Sequence, residues 1–386
     1  MENVRIGIVG IGGMGSTHAR NLLEGKVVGA TLTSVCDTVP SRLTTAQASL
    51  SPELKCYLDI DDFLQADVAD AVLIATPHFH HPPIAAKCFA AGTHVLTEKP
   101  AGVYTKQVRE MNEAAAASGK VFCIMYNQRT NPLYGKLREM IQRGELGELK
   151  RTNWIITSWY RSQSYYDAGG WRATWAGEGG GVLANQVPHQ LDIWQWCCGM
   201  PQRVRAFGYF GKYHDIEVED DVTAFVEYPN GATGVFVTST GDAPGTNRLE
   251  VTGDNGKAVI EDGGLVFWKL EVSERQFNRE YTKGFGQPGV TRIEIPIDGE
   301  STGHVGILQN FVDAIRDGTK LLSPGVDGIR GLSISNAMHL SAWTDDWVSV
   351  PPDEEIFLEK LQERIQTSTF RPEESGRVMD VGGTFG

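Results

Sequence analysis

The chain has 386 residues, 41% of them hydrophobic and 22% charged, which is the composition of a globular protein long enough for two domains. Its 48 acidic residues outnumber 35 basic ones, and the net charge of −13 argues against nucleic acid or an anionic membrane surface as the main partner. No apolar run approaches the roughly 18 residues of a membrane span, and six scattered cysteines without a CxxC pair fit reduced thiols better than a zinc ribbon or a disulfide scaffold. The N-terminus passes almost directly into an apolar strand without the features of a signal peptide, so the cytoplasm is the expected compartment.

Residues 4–9 form a short β-branched run closed by glycine, and an apolar pattern through Ala19, Leu22 and Leu23 follows it, which predicts strand, tight turn and helix. Further strands are predicted at 31–36, 70–75, 93–96 and 121–125, with helices such as 106–117 between them. This alternation over residues 1–125 predicts an α/β domain with a doubly wound parallel sheet. Over residues 126–370 the rhythm changes to longer alternating segments at 149–159, 203–210, 222–228, 234–240, 248–252, 257–261 and 265–270. Turn signals at Pro229-Asn230-Gly231 and Gly253-Asp254-Asn255-Gly256 separate them, which predicts an α+β domain around a large, open, mainly antiparallel sheet. Two late helices, 308–316 and 333–341, are expected to pack on that sheet, and the Gly-rich stretch 371–386 reads as a flexible tail.

Gly10-Ile11-Gly12-Gly13-Met14-Gly15 is a GxGxxG pattern lying between the first strand and the first helix. Glycines there permit a tight turn and the close approach of a pyrophosphate to the helix N-terminus, the signature of a Rossmann dinucleotide site. Asp37 ends the second strand 22 residues after Gly15. A carboxylate at that point accepts hydrogen bonds from ribose hydroxyls and repels a 2′-phosphate, so NAD is expected in preference to NADP. Arg42 keeps NADP open, since a guanidinium can pair with phosphate or simply stack on adenine. The loop Thr76-Pro77-His78-Phe79-His80-His81 follows the third strand, at the edge of the sheet where open α/β folds bind ligands. Thr76, Pro77, His78 and His81 are expected beside the cofactor; no metal is expected, because no carboxylate or cysteine lies at ligand spacing from these histidines.

Glu98-Lys99-Pro100 follows another strand. With the GxGxxG loop, Cys36-Asp37, Ala75-Thr76-Pro77 and His81, Tyr126-Asn127-Gln128-Arg129 with Pro132, and Gly179-Gly180-Gly181 with His189 and Asp192, it resembles the glucose-fructose oxidoreductase and inositol dehydrogenase (Gfo/Idh/MocA) family over most of the chain. The resemblance implies a Rossmann domain joined to an open-sheet domain, a bound nicotinamide cofactor, and redox chemistry at a secondary hydroxyl of a sugar or cyclitol. It further implies Lys99 as the catalytic residue, Glu98 and Asn127 beside the cofactor, Tyr126 and Arg129 toward the substrate, and a homo-oligomer, dimer or tetramer.

The chemistry of the residues agrees with this. Oxidising a carbinol requires a base within hydrogen-bond reach of its hydroxyl, and Lys99 can serve if its ammonium is destabilised; otherwise it is a surface lysine paired with Glu98. Asn185 and His189 are four apart and share a face if their segment is helical, with Pro188 kinking the helix or beginning its regular part. The commoner family pattern has aspartate where Asn185 stands. A neutral amide stabilises an imidazolium less, so His189 is expected to stay neutral and to act as a partner or proton shuttle for Lys99, or else to be a core histidine. Asp192 either orients His189 or caps a separate network.

Residues 154–175 hold seven aromatics where the chain's 9% aromatic content gives about two. Tyr166, Trp171 and Trp175, interleaved with Arg161 and Arg172, suit the apolar face and hydroxyl rim of a sugar; a core or an oligomer interface uses the same residue types. The reading is therefore an NAD-dependent oxidoreductase acting on a sugar, glycoside or cyclitol. Two alternatives use the same parts: redox-neutral glycoside cleavage with retained NAD, and a non-catalytic dinucleotide sensor.

Overall fold

The computed structural model describes residues 3–168 and 170–369; the tail expected at 371–386 lies outside the described residues. The first sheet contains β1 (Val4–Val9), β2 (Ala30–Cys36), β3 (Lys55–Tyr57), β4 (Ala71–Ile74), β5 (His94–Thr97) and β6 (Phe122–Ile124), in the spatial order β3-β2-β1-β4-β5-β6 and all parallel. Their near-continuous apolar character follows from burial on both faces: all of Ala71–Ile74 is 0% exposed. The order reverses beside β1, so the carboxyl ends of β1 and β4 splay apart and open a crevice there. Helix α1 (Gly13–Leu23) starts at that edge.

The second sheet has nine strands: β7 (Leu149–Ile156), β8 (Arg203–Phe210), β9 (Glu219–Glu227), β10 (Thr233–Ser239), β11 (Asn247–Gly253), β12 (Gly256–Glu261), β13 (Gly264–Leu270), β14 (Val290–Glu294) and β15 (Val348–Ser349). The turns at 229–231 and 253–256 close the β9–β10 and β11–β12 hairpins. Every pairing is antiparallel except β7 with β10, which makes the sheet mixed. Strand β7 stops at Ile156, short of the expected 159. Alternation buries Trp154 and Ile156 and leaves Ile155 39% exposed on the open face. Phe236 lies between Trp154 and Trp194, stacked on the latter at 5.3 Å, so part of the aromatic segment is core.

Helix α2 (Pro188–Cys198) covers this sheet, and Pro188 begins it. The two late helices do not behave alike. Helix α3 (Gly303–Asp317) packs on the first sheet: Ile307, Leu308, Phe311 and Val312 are fully buried among Ile6, Ile8 and Leu73. The expectation that it packs on the second sheet is corrected; its apolar stripe specifies burial but not which sheet supplies it. Helix α4 (Gly328–Thr344) is buried on nearly every face, with Leu332 in the core of the first domain and Ile334, Ala337 and Met338 in that of the second. Through α3 and α4 the two halves are packed as one body.

Candidate active site

The crevice beside β1 is a cleft of about 590 Å³ whose lining runs from Asp37 at one end to Lys99, Trp171, Arg172 and Asn185 at the other. That volume is in the range of small-molecule and cofactor sites. At the dinucleotide end, Gly10 holds φ +92°, and a Cβ there would lie 2.7 Å from the Ala75 carbonyl oxygen. Gly15 is equally constrained, since its Cβ would lie 1.9 Å from the Gly10 oxygen, whereas one on Gly12 meets nothing within 4 Å and faces the open cleft. Asp37 accepts from the backbone N–H of Ile11 and of Val39, both at 2.9 Å, and so fixes the glycine loop while presenting a carboxylate to the cleft. Arg42 lies against that carboxylate, Nη1 to Oδ2 at 3.5 Å. Gly12, Gly13, Met14, Thr76 and Pro77 complete the wall, and Thr76 Oγ1 is buried without a protein partner. A glycine cradle open at Gly12, a carboxylate 22 residues on and an orphaned hydroxyl are the features a dinucleotide needs.

At the other end, Glu98 is buried and pairs with His18 of α1, Oε1 to Nε2 at 2.7 Å. Burial alone pushes the Glu98 carboxyl upward, but the hydrogen bond and charge of His18 prevail and hold it at about 2. The next residue, Lys99, donates from Nζ to the main-chain oxygen of Asn185 at 2.9 Å and lies 3.3 Å from Asn185 Oδ1. Burial lowers the Lys99 pKa from its ordinary 10.5; the guanidiniums of Arg172 and Arg161 act in the same direction, and the Glu98 and Glu178 carboxylates oppose them.

Asn185 owes its position to a π-helical turn, Val182–Gln186, that ends where α2 begins. Asn185 and His189 therefore do not share one regular helix. Glu219, buried at the start of β9, anchors the turn by accepting from the N–H groups of Gly181 (2.8 Å) and Leu183 (2.9 Å), and its other oxygen is 3.0 Å from His339 Nε2. A Cβ on Gly181 would lie 2.1 Å from the Glu219 carbonyl oxygen, so only glycine admits this approach. Single isolated π turns cluster at functional sites because they re-aim one residue.

Glu178, directly before the triple glycine, is buried at the back of the site. Its side chain accepts from Asn185 Nδ2 and, at 2.6 Å, from the N–H of Ala173, and its carbonyl oxygen is 3.0 Å from His78 Nδ1. Burial raises the Glu178 pKa, against the opposing charge of Arg172 3.9 Å away. Neither Glu178, Glu219 nor His18 was singled out from sequence. For Glu178 a signal existed: an acidic residue inside a run of alanine and glycine.

The structure separates the expected site residues into two groups. Gly10, Gly12, Gly13, Met14, Asp37, Arg42, Thr76, Pro77, His78, Glu98, Lys99, Trp171 and Asn185 line the cleft. The others lie off its wall. Gly15 acts through the backbone approach to Gly10. His81 is buried, with its ring nitrogens each 2.7 Å from the carbonyl oxygens of Thr76 and Pro100, and His80 takes its place on the wall. Asn127 is buried with Nδ2 3.3 Å from His304 Nδ1. His189 is buried edge-on to Tyr126 with Nδ1 unpartnered; burial, then the charges of Lys99 and His304, push its pKa well down, so the imidazole is neutral. Among the described residues no group of His, Cys, Asp and Glu is arranged to hold a metal, and no helix is long and apolar enough to cross a membrane.

Four residues expected to face the substrate, Tyr126, Arg129, Tyr166 and Trp175, are buried and do not line the cleft. Tyr126 is 1% exposed in the core of the first domain. Arg129 forks onto Asp192 at 2.8 and 2.7 Å and onto Asp327 at 2.9 Å, with a side chain 1% exposed. Asp192 is thereby committed to Arg129 and Gln195, not to His189. Tyr166 donates to Thr240 Oγ1 at 2.8 Å inside a cluster that also holds Trp175, which packs against Trp343, His339 and Phe210. Arg161 stands beside the site, its guanidinium 5.2 Å from the Tyr165 ring and Nη1 donating to the Tyr160 oxygen.

A Rossmann crevice with an acidic residue after the glycine loop, joined to an open-sheet domain that closes its reactive end, defines a dinucleotide-dependent oxidoreductase. The chain belongs to the Gfo/Idh/MocA oxidoreductase family: residues 4–126 match its NAD-binding Rossmann fold and residues 134–259 its C-terminal domain. Among curated relatives, levoglucosan dehydrogenase of Pseudarthrobacter phenanthrenivorans is 24% identical, covering 91% of this chain and 99% of that protein. Inositol 2-dehydrogenase of Corynebacterium glutamicum is 24% identical over 84% of this chain and 89% of that protein. Among solved structures, the WlbA dehydrogenase of Chromobacterium violaceum in complex with NADH and UDP-GlcNAcA superposes with a TM-score of 0.79 at 28% identity, over 92% of this chain and 97% of that one.

Proposed function

We infer that this NAD-dependent oxidoreductase oxidises a secondary hydroxyl of a sugar, glycoside or cyclitol, with Lys99 as the base. The observation that carries the reading is a part-buried lysine on the cleft wall, clasped by Asn185 and destabilised as an ammonium. When bound, NAD supplies the hydride acceptor. Lys99, as the free amine, takes the hydroxyl proton at Nζ while the carbinol carbon gives up its hydride and becomes a carbonyl. Asn185 then holds the new ammonium through its two oxygens. The neutral imidazole of His189, with Nδ1 free, supports a role in passing that proton onward. Trp171 and the Arg172 guanidinium stacked on it 4.6 Å from the ring centroid offer an apolar shelf with aimed donors, which suits a sugar ring.

The sugar and cyclitol dehydrogenases among the relatives support this class, as does the NADH complex of the WlbA neighbour. Asp37 supports NAD over NADP, since Arg42 is engaged with it and a 2′-phosphate would meet a carboxylate. The test is reduction of NAD by the purified protein across a panel of aldoses, glycosides, uronic acids and cyclitols. Turnover with at least one is expected. Binding of NADH without turnover on any member of the panel would overturn the reading.

A further inference from the structure

We propose that Glu178 is the positioning residue of the site: it turns the Asn185 amide so that Oδ1 rather than Nδ2 meets Lys99, and it is the reason an amide and not a carboxylate occupies position 185. The inference rests on the reading of Lys99 as the base.

Hydrogen-bond satisfaction requires this orientation. The Asn185 amide has one acceptor and one two-proton donor, and an ionised carboxylate can only accept. Nδ2 donates to Glu178 Oε1 and lies 3.3 Å from the Tyr165 hydroxyl, so both of its protons face acceptors and Oδ1 is left for Lys99. Glu178 is itself fixed. Its second oxygen takes the N–H of Ala173, a residue held at φ +54°, where a non-glycine backbone is strained and needs support. That turn also carries Trp171 and Arg172 into the cleft, so one carboxylate sets both the grip on Lys99 and the shelf beside it.

The same logic predicts which substitutions fail and which pair succeeds. In Glu178→Gln the new side chain has a single acceptor for two donors, Ala173 N–H and Asn185 Nδ2, so one is stranded or Asn185 flips and turns its Nδ2 toward the ammonium. In Asn185→Asp two carboxylates meet where one hydrogen bond stood, and one of them must take up a proton. In the double variant every group is satisfied again. The amide introduced at position 178 accepts from Ala173 through its oxygen and donates through its nitrogen to the carboxylate introduced at position 185, whose second oxygen faces Lys99.

The experiment compares the wild type with E178Q, N185D and E178Q/N185D by two measurements. The first is single-turnover reduction of bound NAD by the best substrate of the panel. Each single substitution is expected to slow it roughly tenfold or more, the cost of a stranded buried donor or a forced proton. The double variant is expected to recover to within about threefold of wild type, the mark of direct coupling. The second is the pH midpoint of Lys99 acetylation by acetic anhydride, followed by peptide mass spectrometry. E178Q is expected to lower this midpoint, by the order of a unit for loss of a neighbouring opposite charge, and the double variant to bring it back. Losses that multiply in the double variant, or an E178Q protein with wild-type rate and midpoint, would overturn the proposal. Because the acetylation midpoint needs no turnover, a protein that oxidises no sugar sinks the functional reading while this measurement still decides the role of Glu178.

Discussion

Lys99 and Asn185, 86 residues apart in the chain, meet at 2.9 Å between a side-chain nitrogen just past the end of one sheet and a carbonyl in a π turn beside the other. Their meeting bridges the two domains, which are joined by α3, packed in the first core, and by α4, packed in both. The reactive end of the cleft is therefore a product of tertiary packing, while the dinucleotide end is built largely from the β1–α1 turn and the end of β2.

Asp37→Ala should erode discrimination between the two dinucleotides. Losing the carboxylate removes the repulsion of a 2′-phosphate and frees Arg42, which now lies 3.5 Å from it. Titration of NADH and NADPH should show the affinity ratio collapsing toward unity, and an unchanged ratio would remove Asp37 from cofactor choice.

Arg129→Met should be a stability variant. It strands Asp192, whose side chain is 0% exposed, and breaking one partner of a buried ion pair costs about 3–5 kcal/mol. Denaturant unfolding should show that loss while NAD affinity in the folded protein stays at the wild-type level; weakened sugar binding at unchanged stability would restore the substrate role the motif suggested.

Trp171 and Trp175, four apart, should give opposite results. Trp171→Ala removes a wall of the cleft and is expected to raise KM for the sugar. Trp175→Ala excavates a cluster against Trp343 and is expected to cost about 3–5 kcal/mol of stability. The pair of measurements is KM and the unfolding midpoint in each variant.

Acid should destabilise the protein well above the carboxylate range. Burial holds His304 at about 4, below its ordinary 6.5. Between those values the unfolded chain binds a proton that the folded chain refuses, so stability falls as pH drops from 6.5 toward 4. The buried, neutral His189 and His78 act in the same direction. Tm measured across this window should fall, and His304→Gln should flatten the slope.

The parallel sheet and its dinucleotide loop were legible because their signals are local: glycines whose backbone must approach another chain segment, an acidic residue at a strand end, and strands with apolar faces on both sides. Side-chain direction was not local. Tyr126, Arg129, Tyr166 and Trp175 are the right residue types near the site, yet each points into a core or an ion pair that depends on where α2 and α4 run. Glu178 and Glu219 were missed for the converse reason. They bond to backbone N–H groups of a π turn and a strained Ala173, conformations that leave no periodicity to read. Helix α3 shows the same limit, since its stripe of Ile307, Leu308 and Phe311 predicts burial without naming the sheet that provides it.

The most direct test of the account is single-turnover reduction of bound NAD by Lys99→Met, a substitution that removes the amine and nearly preserves the volume. NAD and sugar affinities should stay close to wild type, while the absorbance of reduced nicotinamide should grow in roughly 100 to 10,000 times more slowly, the usual loss for a positioned base. A Lys99→Met protein that reduces NAD at the wild-type rate would contradict the account and pass the base role to His189.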